Sequence, residues 1–191
     1  MYRALTLKAL EIGANLEDPQ ALEGLARTSE IELDGEPGAG RVRLDGRDVT
    51  GAIRENRVST NSHYLARTAG VRRLLVEKQR QFAARKGGVV TEGRDQGTVV
   101  FPDADVKFFL DAPAEVRARR RQVELEARGE HRSFRQVLEE VAERDRRDSS
   151  RAVDPLRPAE GAVHIDTSDL DIDEMIDVLA EEVRRRVKET P

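Results

Sequence analysis

A chain of 191 residues can hold one domain with a core of its own, and it contains no apolar run long enough to span a bilayer as a helix. The formal net charge of −4 argues against general nucleic-acid binding, and the absence of cysteine excludes disulfides and thiolate metal sites. Arginine supplies all but five of the 33 basic residues, an excess that suits phosphate recognition and that a GC-rich genome also produces.

The chain enters a helical pattern at once. Leu5, Leu7 and Leu10 lie on its apolar side, and no N-cap residue precedes it. Asp18 and Pro19 open a short helix through Leu22, Leu25 and Ala26, with the acid at the cap and proline in the first turn. Period-two alternation follows at Ile31 and Leu33, at Val42 and Leu44, and again at Val49. It predicts a small antiparallel ribbon, with Gly35 to Gly40 and Asp45-Gly46 as turns. Taken alone, such a ribbon is a plain surface hairpin. Residues 58–68 and 71–85 read as two helices parted by Ala69-Gly70. The second carries Val71, Leu74, Leu75 and Phe82 on one face, flanked by Arg72. His63 stands on the first, where a lone histidine is more often structural or solvated than a ligand.

The run Val89-Val90-Thr91 reads as a strand leading into Glu92-Gly93-Arg94-Asp95-Gln96-Gly97, and Val106 to Leu110 reads as a second strand. Ligands of open α/β sheets bind just past such strand ends. Gly93 and Gly97 would permit turns that a side chain blocks. Arg94 offers a planar fork for phosphate, and Asp95 offers two acceptors for an amino or hydroxyl group. The same two residues would also suit a loop in which they pair with each other or with neighbours. Ala112-Pro113 closes the strand and starts a helix whose arginine run, Arg117 to Arg121, reads mostly as a solvated face. Gly129 and His131 mark the turn after it.

In the helix from Ser133, Ser133 and Gln136 form a capping-box pattern. Its apolar stripe is Phe134, Val137, Leu138 and Val141. Steps of three and four from that stripe reach Arg144 and Asp148, which turns both charges toward the core side. There they form either an (i, i+4) ion pair or, with Arg151 as a further cation, a ligand site. Strand 162–166 and a helix bearing Ile172, Ile176, Leu179, Val183 and Val187 end the chain. Asp171 can cap that helix, and its stripe should face the sheet. Strands at 89–91, 106–110 and 162–166, alternating with helices, predict a parallel sheet.

Two segments resemble one family closely. TEGRDQGTVVFPDA, residues 91–104, is similar to the GRD-x-GTVVFPDA signature of cytidylate kinases, bacterial enzymes that phosphorylate CMP and dCMP from ATP. ERDRRDSSR, residues 143–151, resembles that family's ERD-x-x-D-x-x-R. The resemblance implies one α/β domain over residues 1–191: a P-loop nucleoside-monophosphate-kinase-like parallel sheet flanked by helices. It makes the ribbon, at about 29–56, a nucleoside-monophosphate-binding insert, and about 117–132 a lid over ATP. It gives Arg144 and Asp148 contacts to the sugar and Arg151 contacts to phosphates. Arg3 and Arg94 match phosphate-binding arginines. Asp95 matches the acid that accepts from the cytosine amino group, and Arg72 an arginine that contacts the ring. His63 stands where the family often has a serine that touches the base. Arg117 and Arg121, four apart on one face, could reach adenine or phosphate together. Magnesium would be held mainly by the ATP phosphates, with no metal ligands from the protein. A cytoplasmic monomer without nucleic-acid or membrane partners is implied.

Met1-Tyr2-Arg3-Ala4 resembles the interior of the family's TGAMYRA segment, which a first strand, a phosphate-binding glycine loop, its helix and a second strand precede. No G-x-x-x-x-G-K occurs in the 191 residues. Gly35 to Gly40 has no following lysine. A missing central strand would remove about four large apolar side chains, each contributing ~1.5–3 kcal/mol, from a domain held by ~5–15 kcal/mol in all. The expectations are therefore a marginal, aggregation-prone chain and impaired phosphate transfer. The alternative function is a catalytically inactive nucleotide-binding relic that starts at Met1. A basic-helix nucleic-acid binder fits the acidic net charge poorly.

Overall fold

The computed structural model describes residues 1–34, 40–151 and 153–189, the last three of them by backbone alone. The chain divides into two compact units, Met1–Val90 and Thr91–Pro191. The expected hairpin turn at Gly35 to Gly40 lies almost wholly outside the described residues.

The first unit is built around helix α1 (Tyr2–Glu11), which is buried on two sides. Leu5 and Ala9 pack with Leu22, Leu25 and Ala26 of α2 (Pro19–Thr28), with Leu65 of α3 (Asn56–Arg67), and with Val71 and Leu75 of α4 (Ala69–Lys86). Ala4 and Leu7 pack instead against Leu44, Val49 and Val58. A helix buried on two sides needs more than a single stripe, which is why Leu5 and Leu7 are both fully buried while Leu10 is only half-buried. Asp18 caps α2 as its position requires, its Oδ1 accepting from the backbone N–H groups of Gln20 and Ala21 at 2.9 and 3.2 Å. The ribbon forms as β1 (Ile31–Asp34), β2 (Arg41–Leu44) and β3 (Arg47–Asp48), antiparallel throughout, with Ile31 opposite Leu44 and Arg43 opposite Asp48. Asp45 adopts a left-handed conformation, φ 50°, at the β2–β3 turn. Its carboxylate accepts from Lys8 Nζ at 2.6 Å and from the Glu30 N–H at 2.8 Å, tying the turn to α1 and to the residue before β1.

The second unit pairs β4 (Phe108–Asp111) with β5 (Val163–Asp166) in parallel, Phe108 beside Val163 and Asp111 beside Asp166. Helices α5 (Ala114–Glu126) and α6 (Phe134–Ser149) form an antiparallel hairpin over Ala118, Leu125 and Val137. Gly129, at φ 78°, supplies the left-handed residue after α5. Ser133 and Gln136 make the reciprocal capping box. Asp171 and Glu174 do the same before α7 (Ile172–Glu189): the Glu174 N–H donates to Asp171 and the Asp171 N–H donates to Glu174.

Three expectations are corrected. Residues 89–91 are not a strand; Val90 is fully exposed. An extended run becomes a strand only against a neighbour that pairs with its backbone, and the parallel sheet described has two strands. The α7 stripe does not cover the sheet: Ile172 is 72% and Ile176 53% exposed, and Leu179 is half-buried. A two-stranded sheet is too narrow to bury a whole helical face. The side chain of Val187 lies outside the described residues. The arginine run is not simply solvated either. Arg120 donates to the Thr167 hydroxyl at 3.1 Å, to the Thr167 carbonyl, and to the Leu170 carbonyl at 3.1 Å, fastening α5 to the turn after β5. Arg119 lies over the Phe134 ring at 5.3 Å. No described helix is long and apolar enough to cross a membrane.

Candidate nucleotide site

The loop leading out of Thr91 is shaped by its own backbone. The Asp95 carbonyl accepts from the N–H groups of Val99 and Val100 at 2.9 and 3.2 Å, and the Phe101 N–H donates to the Gln96 carbonyl at 2.7 Å. Residues Gln96–Val100 thus form one π-helical turn, a geometry frequent at functional sites. Val100, 1% exposed, anchors the turn. Both glycines sit where a side chain would be blocked, as expected, by close neighbours and not by a left-handed backbone. A Cβ on Gly97 would lie 3.0 Å from the Ala159 Cβ and 3.2 Å from the Lys107 Cδ, so what Gly97 provides is close approach. A Cβ on Gly93 would meet the Gln96 side chain at 2.8 Å.

This loop, the last turns of α6 and Arg151 just past its end bring four of the candidate residues together. Asp148 is the centre. Its carboxylate lies 3.3 Å from Arg94 Nε, 3.7 Å from Arg144 Nε and 3.7 Å from Arg151 Nη2. Asp148 and Arg151 are the enclosed members, their side chains 16% and 11% exposed. Asp148 Oδ2, 3.3 Å from Arg94 Nε, and Arg151 Nη2, 3.7 Å from Asp148 Oδ1, are buried atoms held by ion pairs without a hydrogen bond. Three cations around one anion leave surplus positive charge, and buried groups with unfilled hydrogen-bonding capacity mark a place for a polar anionic ligand. Asp95 is also buried, at 7% exposure. Arg94 and Asp95 are therefore not a mutually paired loop motif, because Arg94 reaches across to α6.

The inward face of α6 differs from the expected stripe. Arg144 points outward, its side chain 62% exposed. The inward charge one turn beyond Val141 is Asp145, which sequence reasoning passed over although a step of four reaches it. Arg117 grips Asp145 with both ends of its fork, at 2.9 and 2.7 Å, and its Nε donates to the Ala112 carbonyl at 2.8 Å. Arg121 instead pairs with Glu124 at 2.9 Å and lies near enough to Arg144 for their charges to repel. Arg117 and Arg121 thus do not act as one two-armed clamp here, because Asp145 and a strand-end carbonyl occupy the first of them.

The hydrogen bonds from Arg117 hold the Asp145 carboxyl below the usual carboxylate range, against the opposing effect of burial. A folded-state value below the unfolded one, ~3.9, stabilises the fold above that pH, and the contribution disappears as pH falls through the lowered value. Acid titration followed by circular dichroism should show a shallower loss of stability below about pH 4 in Asp145→Asn than in the parent chain. Superimposable acid transitions would reject this.

The remaining candidates belong to the first unit. Arg3 Nε donates to the Ile53 carbonyl at 2.5 Å. Arg72, 3% exposed in the first turn of α4, donates to the Ala66 carbonyl at 3.3 Å. His63 Nδ1 lies 2.8 Å from the Thr60 carbonyl, and its ring lies against Tyr64 at 4.1 Å. Among the described residues no three acidic or histidine side chains converge as a metal cage.

The family model described as cytidylate kinase matches residues 1–185. A cytidylate kinase of Caldanaerobacter subterraneus subsp. tengcongensis is 46% identical over 98% of this chain and 82% of its own length. One of Geobacter sulfurreducens is 44% identical over the whole chain and 82% of its own length. One of Desulforamulus reducens is 50% identical over 92% of the chain and 78% of its own length. Matches this long place both the loop carrying Arg94 and the helix carrying Asp148 inside a single inherited frame, and the chain belongs to the cytidylate kinases, nucleoside-monophosphate phosphotransferases with the P-loop kinase fold.

Proposed function

We propose that the cluster around Asp148 receives the sugar and phosphate of CMP or dCMP for phosphorylation to the diphosphate. The carrying observation is the pair of buried, unfilled groups, Asp148 Oδ2 and Arg151 Nη2, inside a surplus of arginine. Asp148 accepts from a sugar hydroxyl, with Arg144 at the rim. Arg151 and Arg94 neutralise the phosphate, and the resemblance adds Arg3. Asp95, acceptor-only when ionised, takes the cytosine amino group, and it repels the carbonyl that uracil presents there. The resemblance adds Arg72 as a ring contact, and His63 where the family often has a serine that touches the base.

Donor and acceptor phosphates repel each other. Guanidinium groups lower that repulsion, hold the reacting atoms in line, and stabilise charge that develops on the transferred group. Arg121 is the arginine available for the ATP side, since the Arg117 fork is occupied by Asp145. Magnesium, when bound, shields the donor phosphates and is carried by them. The glycine-loop amides and lysine that would cradle ATP are not encoded in these 191 residues, so no step is assigned to them. A second reading is nucleotide binding without transfer.

Calorimetry on the 191-residue chain should show CMP and dCMP bound more tightly than UMP, and cytidine much more weakly than CMP. Equal affinity for CMP and cytidine would overturn the phosphate assignment. Transfer from ATP by these residues alone should be negligible, and robust turnover would refute that expectation. The DNA upstream of Met1 separates the two readings: an in-frame G-x-x-x-x-G-K favours the enzyme, and an in-frame stop favours the relic. The enzyme reading places the protein in the cytoplasm as a monomer.

A further inference from the structure

We infer that Asp145 and Arg117 are positioning residues: their bidentate pair sets the end of α6, which carries Arg144 and Asp148 and leads directly to Arg151. Three hydrogen bonds from one guanidinium join three elements. Arg117 stands on α5, Asp145 on α6, and the Ala112 carbonyl directly after β4. This fixes the C-terminal half of α6 both in rotation about its axis and in height along it, relative to the end of the strand. The hairpin's apolar contacts, Ala118, Leu125 and Val137 with Phe134, Leu138 and Val141, stop short of that half. Beyond Val141 this ion pair ties α6 to α5. Asp145 is adjacent to Arg144 and less than one turn before Asp148. A rotation of α6 that freed Asp145 would therefore swing Asp148 away from Arg94, which it meets at 3.3 Å. A fork fits this task better than an ammonium, because two parallel bonds fix an angle and one does not.

The CMP arm of the test rests on the nucleotide reading above, and the spectroscopic arm does not. The Nε–Hε resonances of Arg94, Arg144 and Arg151 report their surroundings in the ligand-free protein. Arg117→Lys keeps the charge and loses the fork, so resonance changes in that variant reflect placement. The expected result is that Arg117→Lys and Asp145→Asn each displace or broaden these resonances and weaken CMP about 10-fold or more, with cytidine little affected. Unmoved resonances in both variants overturn the inference, as does the unfolding of both, since the pair would then serve stability alone. If one variant unfolds, the other decides. If the parent chain binds no CMP, the nucleotide reading falls while the resonances still decide placement.

Discussion

Arg151→Ala is expected to weaken CMP binding by about 30- to 700-fold, which is ~2–4 kcal/mol. The size follows from enclosure. With its side chain 11% exposed, Arg151 meets a phosphate where water screens little. Truncation also strips a cation from beside Asp148, and that carboxylate then repels an incoming anion more strongly. The fold should survive, because Asp148 keeps Arg94 at 3.3 Å and Arg144 at 3.7 Å. Arg151→Lys should recover only part of the loss, since an ammonium restores charge without the two-pronged geometry. Arg144→Ala, at an exposed side chain, should cost less than Arg151→Ala. Calorimetry at fixed ionic strength makes the comparison, and a loss below about threefold for Arg151→Ala would defeat the assignment.

Leu75→Ala should lower the stability of the first unit by ~2–5 kcal/mol. Leu75 is fully buried among Leu5, Leu22, Leu65 and Val71, side chains contributed by four helices, so a truncation leaves a void that no single helix can close. Domains of this size are held by ~5–15 kcal/mol, so the variant's urea midpoint should fall sharply. Ile176→Ala is the contrast. At 53% exposure it should change stability by less than ~0.5 kcal/mol. Equal shifts for the two variants would mean that α7 packs as the sequence pattern suggested.

The cytidylate-kinase signatures and the local chain logic are legible in the sequence. Asp18, the Ser133–Gln136 box and Asp171 cap the helices their positions announce, and the ribbon registers as its alternation requires. These features are settled by hydrogen bonds spanning three or four residues, or by a period that a short segment carries within itself. The cluster of Arg94 and Arg151 around Asp148 joins residues that the motifs nominated. Its enclosure could not be read from spacing.

Tertiary structure alone decided the rest. Val89 to Thr91 had the composition of a strand but pairs with no strand, because a ladder needs a neighbour and composition does not supply one. The α7 stripe had the right period and lacked a wide enough surface to cover. Arg144 and Asp145 are adjacent in sequence, yet one turns outward and the other meets Arg117 28 residues away. A step of three and a step of four are both permitted by a helix of 3.6 residues per turn. Which of the two faces inward depends on what the opposing helix offers, and that is a property of the packed pair.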